Sequence, residues 1–287
     1  MKFAFIHDER HNFPIEVLCR VLDVSRAGYY AWRDRQPCKR VQDDEVLLGH
    51  IEQAHQKSKG RYGAPRIHAE LQDRGLKCGR QRIARLMRSA GLRGKGKRKY
   101  KVTTLSEHDQ PVFDNVLARN FETESPNKVW VSDLTYLPTK EGWLYLAVVI
   151  DLFSRRVVGW SMNERMTAEL PLAALDMAKK TRRPPLGLLH HSDRGSQYAS
   201  RVYQQELRAM GAVTSMSRKG DCWDNAVVES FFATLKRELL DERVFESRSK
   251  AQSEVFEYIE VFFNRQRRHS TLGFLAPVTF EERRRAA

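Results

Sequence analysis

The sequence predicts an α/β domain preceded by an all-helical, basic region. Three observations carry that expectation: strand-patterned segments joined by short turns between residues 128 and 162, an alternation of helical and strand patterns after them, and helical periodicity with a dense run of cations before them.

Residues 14–35 read as helix, turn, helix. Val17, Leu18, Val21 and Leu22 recur at helical spacing, Asp23-Val24-Ser25 breaks the pattern, and Ser25 is a good cap for a helix from Arg26 to Arg33. This suits a small DNA-contacting module or an ordinary helical hairpin packed by Tyr29, Tyr30 and Trp32. A second pair follows: Pro65 to Arg74 carries Ile67 and Leu71, Gly75 and Gly79 bracket a turn, and Gln81 to Ala90 turns Ile83, Leu86 and Met87 inward. Its polar face holds Arg82, Arg85 and Arg88. From Arg74 to Lys101 there are twelve basic residues and no acid. Arg80, Arg82, Arg85, Arg88, Lys95, Lys97, Arg98 and Lys99 are therefore expected to track DNA phosphates.

Residues 102–125 show little period and read as a linker. Strands are expected over 128–138, 143–152 and 155–162, with a Lys140-Glu141-Gly142 turn, and helix, strand, helix, strand over 167–181, 186–193, 200–210 and 212–217. That is the order of an RNase H-like fold, in which the first and fourth strands are neighbours. Residues 217–223 form an approach to a helix through Glu229, with Asp224 as its N-cap, and Ser249 to Arg268 is a further amphipathic helix with a basic end. The expected organisation is thus a helix-turn-helix-like region over 1–55, a second basic DNA-binding region over 56–101, a linker over 102–125, a catalytic core over 126–245, and a C-terminal helix and tail over 246–287.

Composition restricts the function. The net charge of +14 is uneven: residues 1–125 carry 25 Lys and Arg against 16 Asp and Glu, or +9, so +5 is left for the rest. Nucleic acid is the natural counterpart. No apolar run reaches membrane-spanning length, and Phe3-Ala4-Phe5-Ile6 is too short for a signal-peptide core, so a cytoplasmic location is expected. Cys19, Cys38, Cys78 and Cys222 form no Cys-x-x-Cys pair, which argues against a zinc knuckle or a disulfide framework. There is no Gly-Lys-Ser/Thr phosphate loop and no Gly-x-Ser-x-Gly elbow.

The chemistry is carried by three acids. Strand alternation puts Asp133 on the face of Val129 and Val131, where a carboxylate is costly unless it binds something. Asp193 closes the strand expected over 186–193, just before Gly195, and carboxyl ends of strands are where α/β sheets keep ligand sites. Glu229 shares a helix face with Asn225 and Lys236. Two strand acids and one helix acid can hold a pair of divalent cations and clamp an in-line attack on a phosphodiester. Asp151, in an equally apolar strand, is a competitor that reads as a turn residue near Arg155. His190 and His191 point to opposite faces, so at most one reaches the acids, and a packing role fits both better.

Together, Trp130 to Thr135, His191 to Tyr198 and Asp224-Asn225-Ala226-x-x-Glu229, with thirty-five residues between Asp193 and Glu229 and a Lys seven after Glu229, resemble insertion-sequence transposases. The resemblance is narrowest to the orfB product of the IS-three family, whose catalytic core is similar to retroviral integrase. It extends from Phe3-Ala4-Phe5-Ile6, through Ser25 to Trp32 and Arg61 to Arg66, to Asn264-Arg265-x-Arg267-Arg268-His269-Ser270. It implies that Asp133, Asp193 and Glu229 are catalytic and ligate two Mg²⁺ ions, with Mn²⁺ able to substitute, for 3′-end cleavage and strand transfer. It further implies that Lys236 holds terminal DNA and that a DNA circle is an intermediate, while Asn225, one turn before Glu229, is expected to orient that carboxylate or a scissile phosphate. The partners implied are terminal inverted repeats, target DNA, a second copy of the chain and an upstream orfA product or fusion. The integrase zinc domain has no counterpart in this sequence. A structure-selective nuclease with the same acids, or a silent regulator that binds DNA ends, are the two other readings the residues allow.

Overall fold

The computed structural model describes residues 1–36, 38–96, 112–218, 222–241 and 243–286, in two units, Met1–Arg93 and Gly94–Ala287. Lys97, Arg98 and Lys99, and part of the expected approach to the Glu229 helix, lie outside the described residues.

The first unit holds two clusters of three helices. Helices α1 (Lys2–Glu9), α2 (Ile15–Val21) and α3 (Arg26–Arg33) close on Ile6, Leu18, Cys19 and Tyr29. Ser25 caps α3 as expected, its Oγ accepting from Gly28 N at 3.0 Å. Tyr29 is buried, whereas Tyr30 and Trp32 remain partly exposed. The second cluster consists of α4 (Lys39–Lys57), α5 (Ala64–Asp73) and α6 (Arg80–Ser89), joined through Leu47, Ile51, Ile67, Leu71, Ile83, Leu86 and Met87. Each expected helix pair thus gains a third helix. Because α4 is continuous from Lys39 to Lys57, the division expected at residue 55 falls inside it.

The second unit is built on a five-stranded sheet in the order β3-β2-β1-β4-β5. Strands β1 (Val129–Thr139), β2 (Gly142–Asp151) and β3 (Val157–Asn163) form the antiparallel meander, and β4 (Leu189–Ser192) and β5 (Val213–Met216) add in parallel beside β1. The first and fourth strands are neighbours, as the element order implies, and this mixed sheet has the RNase H-like arrangement. Helix α7 (Glu169–Arg182), the short α8 (Ser196–Ala199) and α9 (Arg201–Ala209) supply Leu170, Ala174, Tyr198, Tyr203 and Leu207 to a core with Trp130, Val149 and Met216. Helices α10 (Ala226–Leu235) and α11 (Arg248–Phe256) pack on β1, each continuing into a wide π-helical turn, Lys236–Leu240 and Glu257–Phe263.

The flanking segments are parts of this unit. The described end of the expected linker is strapped to β5, where Ser215 Oγ accepts from Val116 N and Leu117 N at 3.0 and 3.1 Å. The C-terminal segment is anchored by Asn264, which bonds Val157 N and O, and by α12 (Pro277–Ala286). Glu281 of α12 is buried against Arg182 and Arg156 and accepts from Ser154 Oγ, so the tail is bolted to α7 and to the β2–β3 turn. Asp151 belongs to this network: it ends β2 with its charge felt by Arg155, as expected, and it accepts from Asn127 N, Phe153 N and Arg182, its ion-pair partner.

Gly159 sets how closely α7 can approach the sheet. A Cβ there would stand 2.1 Å from Ala174 O and 2.8 Å from Ala178 N, contacts that no side-chain rotation relieves. Gly159→Ala should therefore destabilise the second unit by at least the ~1–3 kcal/mol typical of an overpacked core, read as a lowered urea midpoint. An unchanged midpoint would show that α7 can retreat without cost.

Candidate metal-dependent site

Pairing between β1 and β4 ends at Ser132 opposite Ser192. The next residue on each chain is an acid, Asp133 and Asp193, so two carboxylates leave neighbouring strands side by side at the carboxyl end of β4. Parallel strands lie about 4.8 Å apart, which makes this close placement a direct product of register. Each aspartate is oriented by local backbone: Asp133 Oδ1 accepts from Leu134 N at 2.7 Å, and Asp193 Oδ1 from Gly195 N at 2.9 Å. The β-carbon position of Gly195 is only 3.0 Å from Asp193 Oδ1, so a side chain there would crowd the carboxylate.

Glu229 comes from α10, whose start is fixed to β1 by Asn225. The Asn225 amide donates to Ser132 O at 3.1 Å, one residue before Asp133. Asn225 is buried, and its role in the structure is this tie between helix and strand. Asp224 does not cap α10. Its buried carboxylate accepts from Arg218 N, Arg218 Nε and Nη2, and Arg119 Nε, bonds that hold it well below the usual carboxylate range. The capping expectation fails because two guanidinium groups outcompete backbone N–H donors for the same oxygens.

The electrostatics single out Asp133. Burial, then the charge of Asp193, push its pKa well up; the Leu134 N–H bond opposes this, the charge of Glu229 adds to it, and Lys236 pulls it down. Glu229 is shifted upward by burial. Burial lowers the Lys236 ammonium to about 8, against the attraction of Asp133. Asp193 and Glu229 thus act on the Asp133 carboxylate together, and Lys236 opposes them. Among the described residues no three His, Cys, Asp or Glu side chains stand at metal-holding distance, and Glu229 acts on Asp133 less strongly than Asp193 does. The donor chemistry nevertheless suits a hard divalent cation: all three groups are carboxylates, and repulsion among them is what such an ion relieves.

Beside the acids His190 and His191 each hold a buried set of hydrogen bonds. His190 Nε2 bonds Ser132 Oγ at 2.9 Å and Tyr203 OH at 3.0 Å, while His191 bonds Ser215 and Ser217. Burial pushes His190 down to about 3 and His191 down to about 4, so both are neutral packing groups near pH 7. The expected DNA-contacting cations divide. Arg80 and Arg88 are exposed on α6, but Arg82 and Arg85 both pair with Asp44 of α4, and Lys95 pairs with Asp241 at 2.9 Å. In the C-terminal segment Arg267 is buried against Glu238, and Arg268 donates to Phe274 O, which leaves Arg265 as the exposed arginine of that run.

An HTH-like domain family matches residues 42–100, and two integrase core domain families match residues 123–222 and 210–277. The chain is 45% identical over 287 residues to transposase InsF of insertion sequence IS3A from Escherichia coli, covering 99% of each chain. It is 49% identical over 266 residues to a 31 kDa protein of insertion element IS600 from Shigella sonnei, covering 93% of this chain and 98% of that one. Among solved structures it is similar to the HTLV-2 integrase catalytic core domain, with 19% identity and a TM-score of 0.42 over 55% of this chain and 97% of that one, a likeness too loose to bear on the site.

Because the folded state raises the pKa of Asp133, ionising it near pH 7 costs stability that a neutral amide does not. Asp133→Asn should raise the melting temperature in a chelator, by a degree or more for a gain of ~0.5–1 kcal/mol, while Oδ1 still accepts from Leu134 N. Excess Mg²⁺ should stabilise the native chain and not the variant. A variant that melts below the native chain in chelator would count against crowded charge.

Proposed function

Because the chain belongs to the transposase family of insertion sequence IS3, we propose that Asp133, Asp193 and Glu229 are its catalytic carboxylates, cutting and rejoining phosphodiester bonds at the element's ends. The reading rests on one observation above the others: β1–β4 pairing sets Asp133 beside Asp193, and Glu229 acts electrostatically on the same carboxylate.

The three carboxylates would hold two Mg²⁺ ions, or Mn²⁺ in their place; the metal supplies positive charge that polarises the scissile phosphate and favours deprotonation of the attacking oxygen. In the first step water oxygen bonds to phosphorus and the P–O3′ bond breaks, freeing a 3′-hydroxyl. In the second, that 3′ oxygen bonds to phosphorus of another strand and displaces its O3′. One P–O bond forms for each one lost, so no nucleotide triphosphate is needed. Lys236 sits where its ammonium can offset phosphate charge beside Asp133, and Asn225 keeps α10 in register with the strand that carries that acid. The HTH-like unit supplies phosphate contacts from Arg80 and Arg88, whereas Arg82 and Arg85 keep α6 on α4 through Asp44. Action as a dimer or larger assembly on inverted repeats, with an upstream orfA partner, belongs to the same proposal.

Two measurements test it. With labelled element ends and Mg²⁺, the native chain should give both nicked and joined products, while Asp133→Asn, Asp193→Asn and Glu229→Gln should each lose at least ~10²-fold in rate, on the scale of losing one preorganised electrostatic group, yet retain DNA binding. Nicks without joints would leave a nuclease. Unchanged cleavage by the variants would move the chemistry elsewhere. Arg80→Ala and Arg88→Ala should each flatten the dependence of log affinity on log salt by about one, whereas Arg82→Ala should act through lost stability.

A further inference from the structure

The β1–β2 hairpin carries an exposed aromatic pair beyond Asp133 along β1. Tyr136 and Trp143 are 41% and 50% exposed, and their rings meet edge to face with centroids 4.8 Å apart. They lie diagonally across the register, Tyr136 opposite Tyr145 and Trp143 opposite Pro138. Lys236 Nζ lies 4.7 Å from the centre of the Tyr136 ring while its charge acts on Asp133. An unbroken sequence of contacts and fields thus runs from the catalytic acid through Lys236 and Tyr136 to the indole of Trp143.

Large exposed aromatics cost solvation, and here a half-exposed indole stands near-perpendicular to a second ring. The neighbouring cation and phosphodiester-cutting acids identify the matching chemistry: a flat, aromatic group attached to an anionic backbone. In duplex DNA the base faces are covered by their neighbours, so an aromatic side chain reaches one only where the nucleotide is unpaired. We infer that Trp143 stacks on an unpaired nucleobase adjoining the scissile phosphate, with Tyr136 as a positioning residue that holds both the indole and Lys236. The inference deepens the proposed DNA-cutting reading and rests on it for the identity of the scissile site.

The test measures binding separately from chemistry. The full-length chain is titrated in chelator with a fluorescent single-stranded oligonucleotide of the element's terminal sequence, and with the same sequence as a fully paired duplex. Trp143→Ala should weaken the single strand roughly 5- to 100-fold, the range for removing one base–aromatic stack, and the duplex by less than about threefold. Trp143→Phe should restore most of the single-strand affinity, Trp143→Leu should not, and Tyr136→Ala should show an intermediate loss. Leucine rescuing as well as phenylalanine would reduce the site to apolar packing and overturn the proposal. So would equal losses on single strand and duplex, or a change of oligomeric state with single-strand affinity intact, which would make the patch an interface between copies. Cleavage by the native chain with Mg²⁺ is followed in parallel: if it never cuts, the functional reading fails, while the binding comparison still decides whether Trp143 stacks on a base.

Discussion

The parallel pairing of β1 with β4 is the constraint on which the site depends. Hydrogen bonding between them runs from Val129 opposite Leu189 to Ser132 opposite Ser192, and both chains present an aspartate immediately afterwards. A slip of one residue would turn one carboxylate to the other face of the sheet and bury it away from its partner. The apolar residues that surround this register, Trp130 and Val131 on β1 and Leu188 before β4, are buried, so the core that stabilises the sheet also fixes the distance between the acids. Like charges are held together by surrounding hydrophobic packing.

Much of the second unit was legible because its signals are local. The meander follows from strand alternation around Lys140-Glu141-Gly142, and the order of elements that follows places β4 beside β1. Asp133 could be singled out because it stands among Val129 and Val131, and Glu229 because an uninterrupted helical pattern carries it. The N-terminal unit was read less completely. Helix α4 buries only Leu47, Ile51 and Ala54 and exposes Val41 and Val46, so its apolar stripe is faint in sequence and its role emerges from packing on α5 and α6.

What sequence could not reveal is competition among polar groups. Asp224 carries the signature of a helix cap, yet Arg119, more than a hundred residues away, and Arg218 claim it. The cationic face of α6 reads as free for DNA, yet Asp44 takes two of its arginines. The basic end of the C-terminal helix is similarly divided, since Glu238 and Tyr258 enclose Arg267 in the interior. Arg119, Asp44 and Glu238 are all remote in sequence from the groups they claim, and only the fold brings them near.

The shared carboxylate of Asp224 has a consequence for how this protein can vary. It joins the strap before β1 to the segment after β5 by bonding one arginine from each, so one anion lies between two cations. Losing the acid would leave like charges facing one another, whereas losing either arginine would strand less charge. Substitutions at these three positions are therefore energetically coupled, and across evolutionary time the trio should drift together rather than one site at a time.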